Sequence, residues 1–335
     1  MAEPLNLKTL AISAGATPIV SVSLTAGPGE ITTLMGPSGS GKSSILAAIT
    51  GTLPEGLSAT GDILLGTQNL ATLPAWKRRI GILFQDDLLF PHLSVGGNLA
   101  LGLAPGGTRS ERRGRVERAL AEVGLEGFAD RDPATLSGGQ KARVALMRVL
   151  LSEPRALLLD EPFGSLDAEL RSHIRSLVFS HARTRGLPTL LVTHDQEEAL
   201  VMSDRIAVMR SGRIEQVGLP DEVYERPKTR FVAAFLGRSN FLPARPHPLG
   251  AETPLGPLRL KAPLAREALL AIRPEKIRLY PAQGGVPARE NLVRAVVEEI
   301  VYTGAENQYY RLPLEAQGPD LIPVSGFWRD FAARD

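Results

Sequence analysis

Between Gly36 and Ser44 the chain reads GPSGSGKSS, so Gly36, Pro37, Ser38, Gly39, Ser40, Gly41, Lys42, Ser43 and Ser44 follow the spacing G-x-x-x-x-G-K-S. Glycine at Gly36, Gly39 and Gly41 admits backbone conformations barred to other residues and lets the chain approach a ligand closely, so that successive N–H groups can face phosphate oxygens. A helix starting at Lys42 adds roughly half a positive charge at its amino end. Lys42 is placed to reach the terminal phosphates and the Ser43 hydroxyl to hold Mg²⁺. A flexible glycine-serine linker has this composition too. It does not call for an apolar strand before it (ITTLM, Ile31 to Met35) and a helix after it (SSILAAIT), which are present here.

A phosphate cradle needs an acidic partner, and LLLDEP offers one. Asp160 ends an apolar run, where a carboxylate can hold a Mg²⁺ water shell, and Glu161 beside it could polarise an attacking water. Taken alone, Asp160 also reads as a helix cap, a reading that four apolar residues before it and Glu-Pro after it disfavour. His194 follows TLLVT and reads either as a polar surface or capping residue or as a proton shuttle. Asp195, Glu197 and Glu198 after it read as an acidic helix start. In LSGGQ, Leu136, Ser137, Gly138, Gly139 and Gln140 precede the strongly helical KARVALMRVLL, a second glycine-rich helix start suited to an anion.

The elements that must position these residues alternate. ALLL (Ala156 to Leu159), TLLVT (Thr189 to Thr193) and RIAVM (Arg205 to Met209) are short continuous apolar runs, as parallel strands covered on both faces require, and helical stretches separate them; the pattern predicts an α/β sheet. TRSERRGRVERALAEVGLEGF (Thr108 to Phe128) has Val116, Leu120 and Val123 on one helical face and reads as a helical insertion. After Leu236 the chain turns rich in Pro and Gly. The pieces ALLAIR, KIRLY, NLVRAVVEEIVY and QYYRLPL predict a small all-β domain, with a boundary near residues 236–242.

Bulk composition bounds the rest. The 335 residues, 43% hydrophobic and 22% charged, suit a soluble chain of two domains; no apolar run of 18 residues or secretory leader is visible, which predicts a cytoplasmic location. A net charge of +2 is too mild to argue for nucleic acid, and the absence of Cys excludes disulfides and thiolate metal sites.

In order and spacing these motifs resemble the ATPase subunit of an ATP-binding cassette (ABC) transporter, over almost all of residues 5–240. The resemblance implies a P-loop NTPase (RecA-like) sheet core in an ABC domain at 1–236, a helical insertion at about 89–150, and ATP with Mg²⁺ as ligands. It implies that Gln85, in GILFQDDLLFPHLSV, touches Mg²⁺ and water, where the residue alone also reads as a buried glutamine bonding backbone. It makes Asp160 the Mg²⁺ organiser, Glu161 the base and His194 a γ-phosphate contact. Asp167, in SLD (Ser165 to Asp167), falls in the D-loop. Leu136 to Gln140 would cover the γ-phosphate held by another subunit, so a second copy of the chain, or a similar subunit, must complete the site; the homodimer is preferred.

The segment Asp86 to Leu99, with Leu88, Leu89, Phe90 and Leu93 exposed around Pro91, is expected to pack against transmembrane permease subunits. An extracytoplasmic substrate-binding protein, a peripheral position on the cytoplasmic face of the plasma membrane and a cargo of thiamine, iron or polyamine complete the implied system. Residues 240–335 resemble, through AIRPEKIRL and AVVEEIVYTGAENQYY, the oligonucleotide-binding-like β domain called TOBE, either a dimer-stabilising scaffold or a regulatory module. One departure stands out: the family's adenine-stacking aromatic would fall near Ser13, and no aromatic precedes Trp76. Ile12 would offer an aliphatic surface at best, which predicts weak discrimination of ATP from GTP. A soluble ABC protein of translation or repair would carry two cassettes or long coiled coils, absent here, and a P-loop kinase has no use for LSGGQ.

Overall fold

The computed structural model describes residues 3–84, 89–164, 168–277, 291–293, 299–302, 308–312 and 322–326. Two compact units divide between Arg226 and Pro227.

The first unit carries strands β1 (Leu5–Ala14), β2 (Thr17–Ala26), β3 (Ile31–Met35), β4 (Leu57–Leu65), β5 (Gln68–Asn69), β6 (Ile80–Leu83), β7 (Ala156–Asp160), β8 (Thr189–Val192), β9 (Arg205–Arg210) and β10 (Arg213–Gly218). Its helices are α1 (Lys42–Thr50), α2 (Val95–Gly102), α3 (Arg109–Glu122), α4 (Gly138–Leu151), α5 (Ala168–Arg185), α6 (Gln196–Met202) and α7 (Pro220–Glu225). The main sheet has the order β10-β9-β3-β8-β7-β6 and is parallel from β9 to β6, with β10 an antiparallel edge. An antiparallel sheet, β2-β1-β4-β5, packs over it.

The strand β7 shows why its sequence is apolar without a break. Side chains alternate across a strand. Ala156 and Leu158 enter a core shared with Leu34, Ile45, Leu190 and the antiparallel sheet, whereas Leu157 and Leu159 enter a second core with Val144, Leu150, Ile174 and Val178. The main sheet is therefore covered on both faces, by α1 and the antiparallel sheet on one side and by α2 to α5 on the other. The anticipated helical stretch is α3, started by a capping box of Thr108 and Glu111, with Val116 and Leu120 buried along it and Val123 buried just beyond its end.

In the second unit, helix α8 (Arg230–Phe235) precedes β11 (Asn240–His247), β12 (Gly250–Thr253), β13 (Gly256–Arg259) and β14 (Ala268–Ile272), an antiparallel sheet in the order β13-β12-β11-β14. A further antiparallel sheet joins β15 (Glu299–Tyr302), β16 (Gln308–Leu312) and β17 (Ile322–Gly326). The division precedes α8 rather than falling at the change of composition near residues 236–242, because α8 is tied into the β unit. The buried Arg273 donates to Ala233 O at 2.9 Å, to Arg238 O at 3.2 Å and to Ser239 Oγ at 2.9 Å. The expected strand KIRLY begins instead in a 3-10 turn, Pro274–Lys276, and its residues 278–280 lie outside the described ones.

Candidate active site

The first anion loop connects β3 to α1. Gly41, with φ 101°, precedes Lys42 at the helix start, and a Cβ there would lie 2.3 Å from Val20 Cγ2, so only glycine fits. Pro37, Ser38 and Gly39 form an exposed crest, with Ser43 exposed on the first turn of α1 and Ser44 half-buried. The Lys42 ammonium donates to Gly36 O at 2.7 Å and Pro37 O at 3.0 Å, which ties the loop to its own helix and leaves a third N–H. Burial lowers the Lys42 pKa, while the charges of Glu161 and Asp160 oppose that.

Those two carboxylates close the end of β7. Burial raises the Asp160 pKa first, repulsion from Glu161 adds to it, and Lys42 counteracts both, so the acidic pair and the loop lysine share one field. Glu161 sits at φ 49°, a left-handed conformation that costs a non-glycine residue roughly 1–3 kcal/mol. Its N–H donates to Val192 O at 2.9 Å, and its carboxylate lies 2.9 Å from His194 Nδ1. The His194 side chain is 73% exposed and that of Glu161 24%, so the pair opens outward from a half-buried base. With Nδ1–H donating to the carboxylate, Nε2 is the free ring nitrogen. Asp195 caps α6, accepting from Glu198 N at 3.0 Å.

In the second glycine-rich stretch Ser137 caps α4 reciprocally with Gln140: Ser137 Oγ accepts from Gln140 N at 3.3 Å and Gln140 Oε1 from Ser137 N at 3.0 Å. Leu136 is buried beneath, and a Cβ added to Gly138 would meet nothing within 4 Å. Because α1 and α4 belong to opposite faces of the sheet, one chain does not bring its two glycine-rich starts together.

Gln85 and Asp167 lie outside the described residues, as does Leu88. Of the apolar side chains expected to stand exposed after Gln85, Phe90 is exposed, but Leu93 is half-buried and Leu89 packs against the core. Asn98, which sequence reasoning missed, explains this arrangement: it is fully buried, accepts from Phe90 N at 2.8 Å and donates to Phe90 O at 3.1 Å and Ser94 O at 3.0 Å. Ile12 corrects another expectation. It is fully buried within β1, so no aliphatic surface is offered there, while Ser13 stands half-buried next to the β1–β2 turn.

The donor set suits a magnesium nucleotide. Ser43 and Asp160 supply hard oxygens, and Mg²⁺ typically adds only one or two side chains to the phosphates and waters around it. Among the described residues, no group of three or more His, Asp or Glu could hold a metal ion by itself.

Residues 19–164 match the ABC transporter family and residues 270–318 the TOBE domain. The chain is 44% identical over 298 residues to the spermidine/putrescine import ATP-binding protein PotA 1 of Pseudomonas aeruginosa, covering 84% of this chain and 78% of that one. It is 41% identical over 329 residues to the sulfate/thiosulfate import ATP-binding protein CysA 2 of Chromobacterium violaceum, covering 96% and 87%. Among solved structures it is similar to the ATP-binding cassette MJ0796, described as a dimer in a post-hydrolysis state bound to ADP and Pi, with a TM-score of 0.58 at 30% identity, over 64% of this chain and 98% of that one. The loop, the acidic strand end and the capped signature helix thus sit in a chain that belongs to the ATP-binding subunits of ABC import systems, which are ATPases.

Proposed function

We propose that two copies of this chain bind Mg-ATP between them, hydrolyse it, and so drive separate permease subunits. The observation that carries the reading is the Glu161–His194 contact of 2.9 Å at the ends of β7 and β8, in the same field as Lys42. Ligands of open parallel sheets bind beyond the carboxyl ends of the strands. Here the phosphate loop follows β3, His194 follows β8, Asp160 and Glu161 end β7, and Gln85 follows β6, four neighbours in one sheet.

In this reading Gly36 to Ser44 hold the phosphates through backbone N–H groups, with Lys42 adding charge. Mg²⁺, held by Ser43, Asp160 and Gln85, would draw off negative charge from the phosphate oxygens. Glu161 accepts the proton of the attacking water, and His194 fixes that carboxylate and meets the terminal phosphate. Leu136 to Gln140, with Asp167, close the site of the other copy. The segment containing Phe90 docks on the permease, which sets the chain on the cytoplasmic face of the membrane; no helix among the described residues is long and apolar enough to cross one. Relatives named for a polyamine and for sulfate stand at nearly equal identity, so the cargo is selected outside this subunit, by the permease and an extracytoplasmic binding protein. Polyamine, the class named for PotA 1, is the cargo we favour over iron and thiamine.

Glu161→Gln tests the assignment. It is expected to bind ATP with parental affinity, to lower kcat by about 10²–10⁴ and to accumulate as an ATP-bound dimer in size-exclusion chromatography. Near-normal turnover would refute Glu161 as the base.

A further inference from the structure

We propose that Glu198 is a positioning residue for His194, setting the imidazole against Glu161 through the hydroxyl of Thr193; the proposal rests on the reading of that pair given above. Glu198 is 4% exposed, far below the ordinary exposure of a glutamate. It belongs to α6, whose first turn also holds the exposed Glu197, so burial here is specific to one of two adjacent carboxylates. Its Oε2 accepts a hydrogen bond from Thr193 Oγ, itself fully inside at 2% exposure. That hydroxyl also accepts from Asp195 N at 3.0 Å, and the Asp195 carboxylate accepts from Glu198 N at 3.0 Å.

The three bonds tie the two neighbours of His194, Thr193 before it and Asp195 after it, to each other and to Glu198, so the backbone carrying the imidazole is fixed on both sides. A merely structural helix start needs only the Asp195 cap; it does not need a carboxylate withdrawn from water. Burial raises the Glu198 pKa, while Thr193 and the positive charges of Arg175 and Arg171 on α5 act against it. Arg175 lies 6.0 Å from the ring of Phe163, the buried residue two places after Glu161. Arg175 thus faces both the buried carboxylate and the turn that follows Glu161. The other oxygen of Glu198, Oε1, is buried without a hydrogen-bond partner, a cost that a purely structural cap would not incur.

The test measures kcat and KM for Mg-ATP in the full chain for Glu198→Leu, Glu198→Gln, Thr193→Val and Thr193→Ser, each alone and combined with His194→Ala. Glu198→Leu and Thr193→Val are expected to lower kcat about tenfold at parental KM, and Glu198→Gln and Thr193→Ser, which restore an acceptor and a hydroxyl, to return most of it. Once His194 is Ala, neither Glu198→Leu nor Thr193→Val should lower kcat further, because residues that act through one group are not additive. Full additivity in that background, or equal losses in the conservative and disruptive variants, would overturn the positioning role while leaving His194 in the mechanism. A His194→Ala variant with parental kcat would overturn both readings. Should Glu198→Leu fail to fold, the Thr193 pair decides the matter alone, since valine keeps the shape of threonine.

Discussion

Replacing Arg78 by Ala should loosen the helix that carries Lys42 from its far end. Arg78 is 7% exposed; its Nε donates to Leu73 O at 2.9 Å, and its Nη1 donates to Ala48 O at 2.7 Å and Ile49 O at 2.8 Å. The last carbonyls of any helix lack partners within it, and a cation there also complements the helix dipole. Gly51, the left-handed cap of α1 at φ 80°, makes room for this: a Cβ there would lie 2.6 Å from the guanidinium carbon. Three bonds from a charged donor, at roughly 1.5–3 kcal/mol each, set an upper bound of about 5–9 kcal/mol. Water entering the vacated space and the side-chain entropy no longer lost, about 2 kcal/mol, bring the expected destabilisation to about 3–4 kcal/mol. In a unit of this size that is a fall of about 10 °C in the unfolding midpoint, with a raised KM for Mg-ATP. Circular dichroism melts and steady-state ATPase assays measure both. Arg78→Lys should recover less than half, because an ammonium is a single point and cannot span Leu73 and the α1 carbonyls together. A midpoint change under about 2 °C, or a lysine variant as stable as the parent, would refute the reasoning.

Ser13→Tyr should lower the KM for Mg-ATP about tenfold relative to the parent, the lower part of the range that one stacked aromatic contributes; an unchanged KM would count against base recognition at the β1–β2 turn. Glu198 supplies a pH test. Since burial holds its pKa above that of a free carboxyl, the folded chain keeps a proton the unfolded chain has released, and the associated stability, full below about pH 4.3, is lost as pH rises through the folded value. Glu198→Gln should therefore melt higher than the parent at pH 7 and converge with it near pH 4; a gap that does not vary with pH would sink this account.

The phosphate loop was legible because its chemistry is local: the strand, the glycines, the lysine and the helix are contiguous, and each residue's role follows from its neighbours in sequence. The parallel strands were legible for a similar reason, since a run such as ALLL has no polar face and fits only a sheet covered twice. Arg78 and Asn98 were not, because their partners are set by tertiary folding; Arg78 meets carbonyls 29 and 30 positions away. Glu198 lay between these cases. Read beside Asp195 and Glu197 it was one more acid at a helix start, yet its spacing with Ala199 and Met202, both buried, places it on the inward face of α6. Periodicity applied to so short a helix would have singled it out.

The layered architecture also bears on the proposal that two copies share each site. Layers packed face to face lie roughly 10 Å apart, so α1 and α4, on opposite faces of the main sheet, are held about two layers from each other. A terminal phosphate seated on the α1 loop is then beyond reach of the α4 start in the same chain. At that start Gln140 and Ser137 satisfy each other's N–H groups, while Gly138 and Gly139 carry no side chain between their own N–H groups and whatever approaches. A helix start kept open in this way, at a site its own nucleotide loop does not reach, has a use when a second sheet presents its phosphate loop from across the gap.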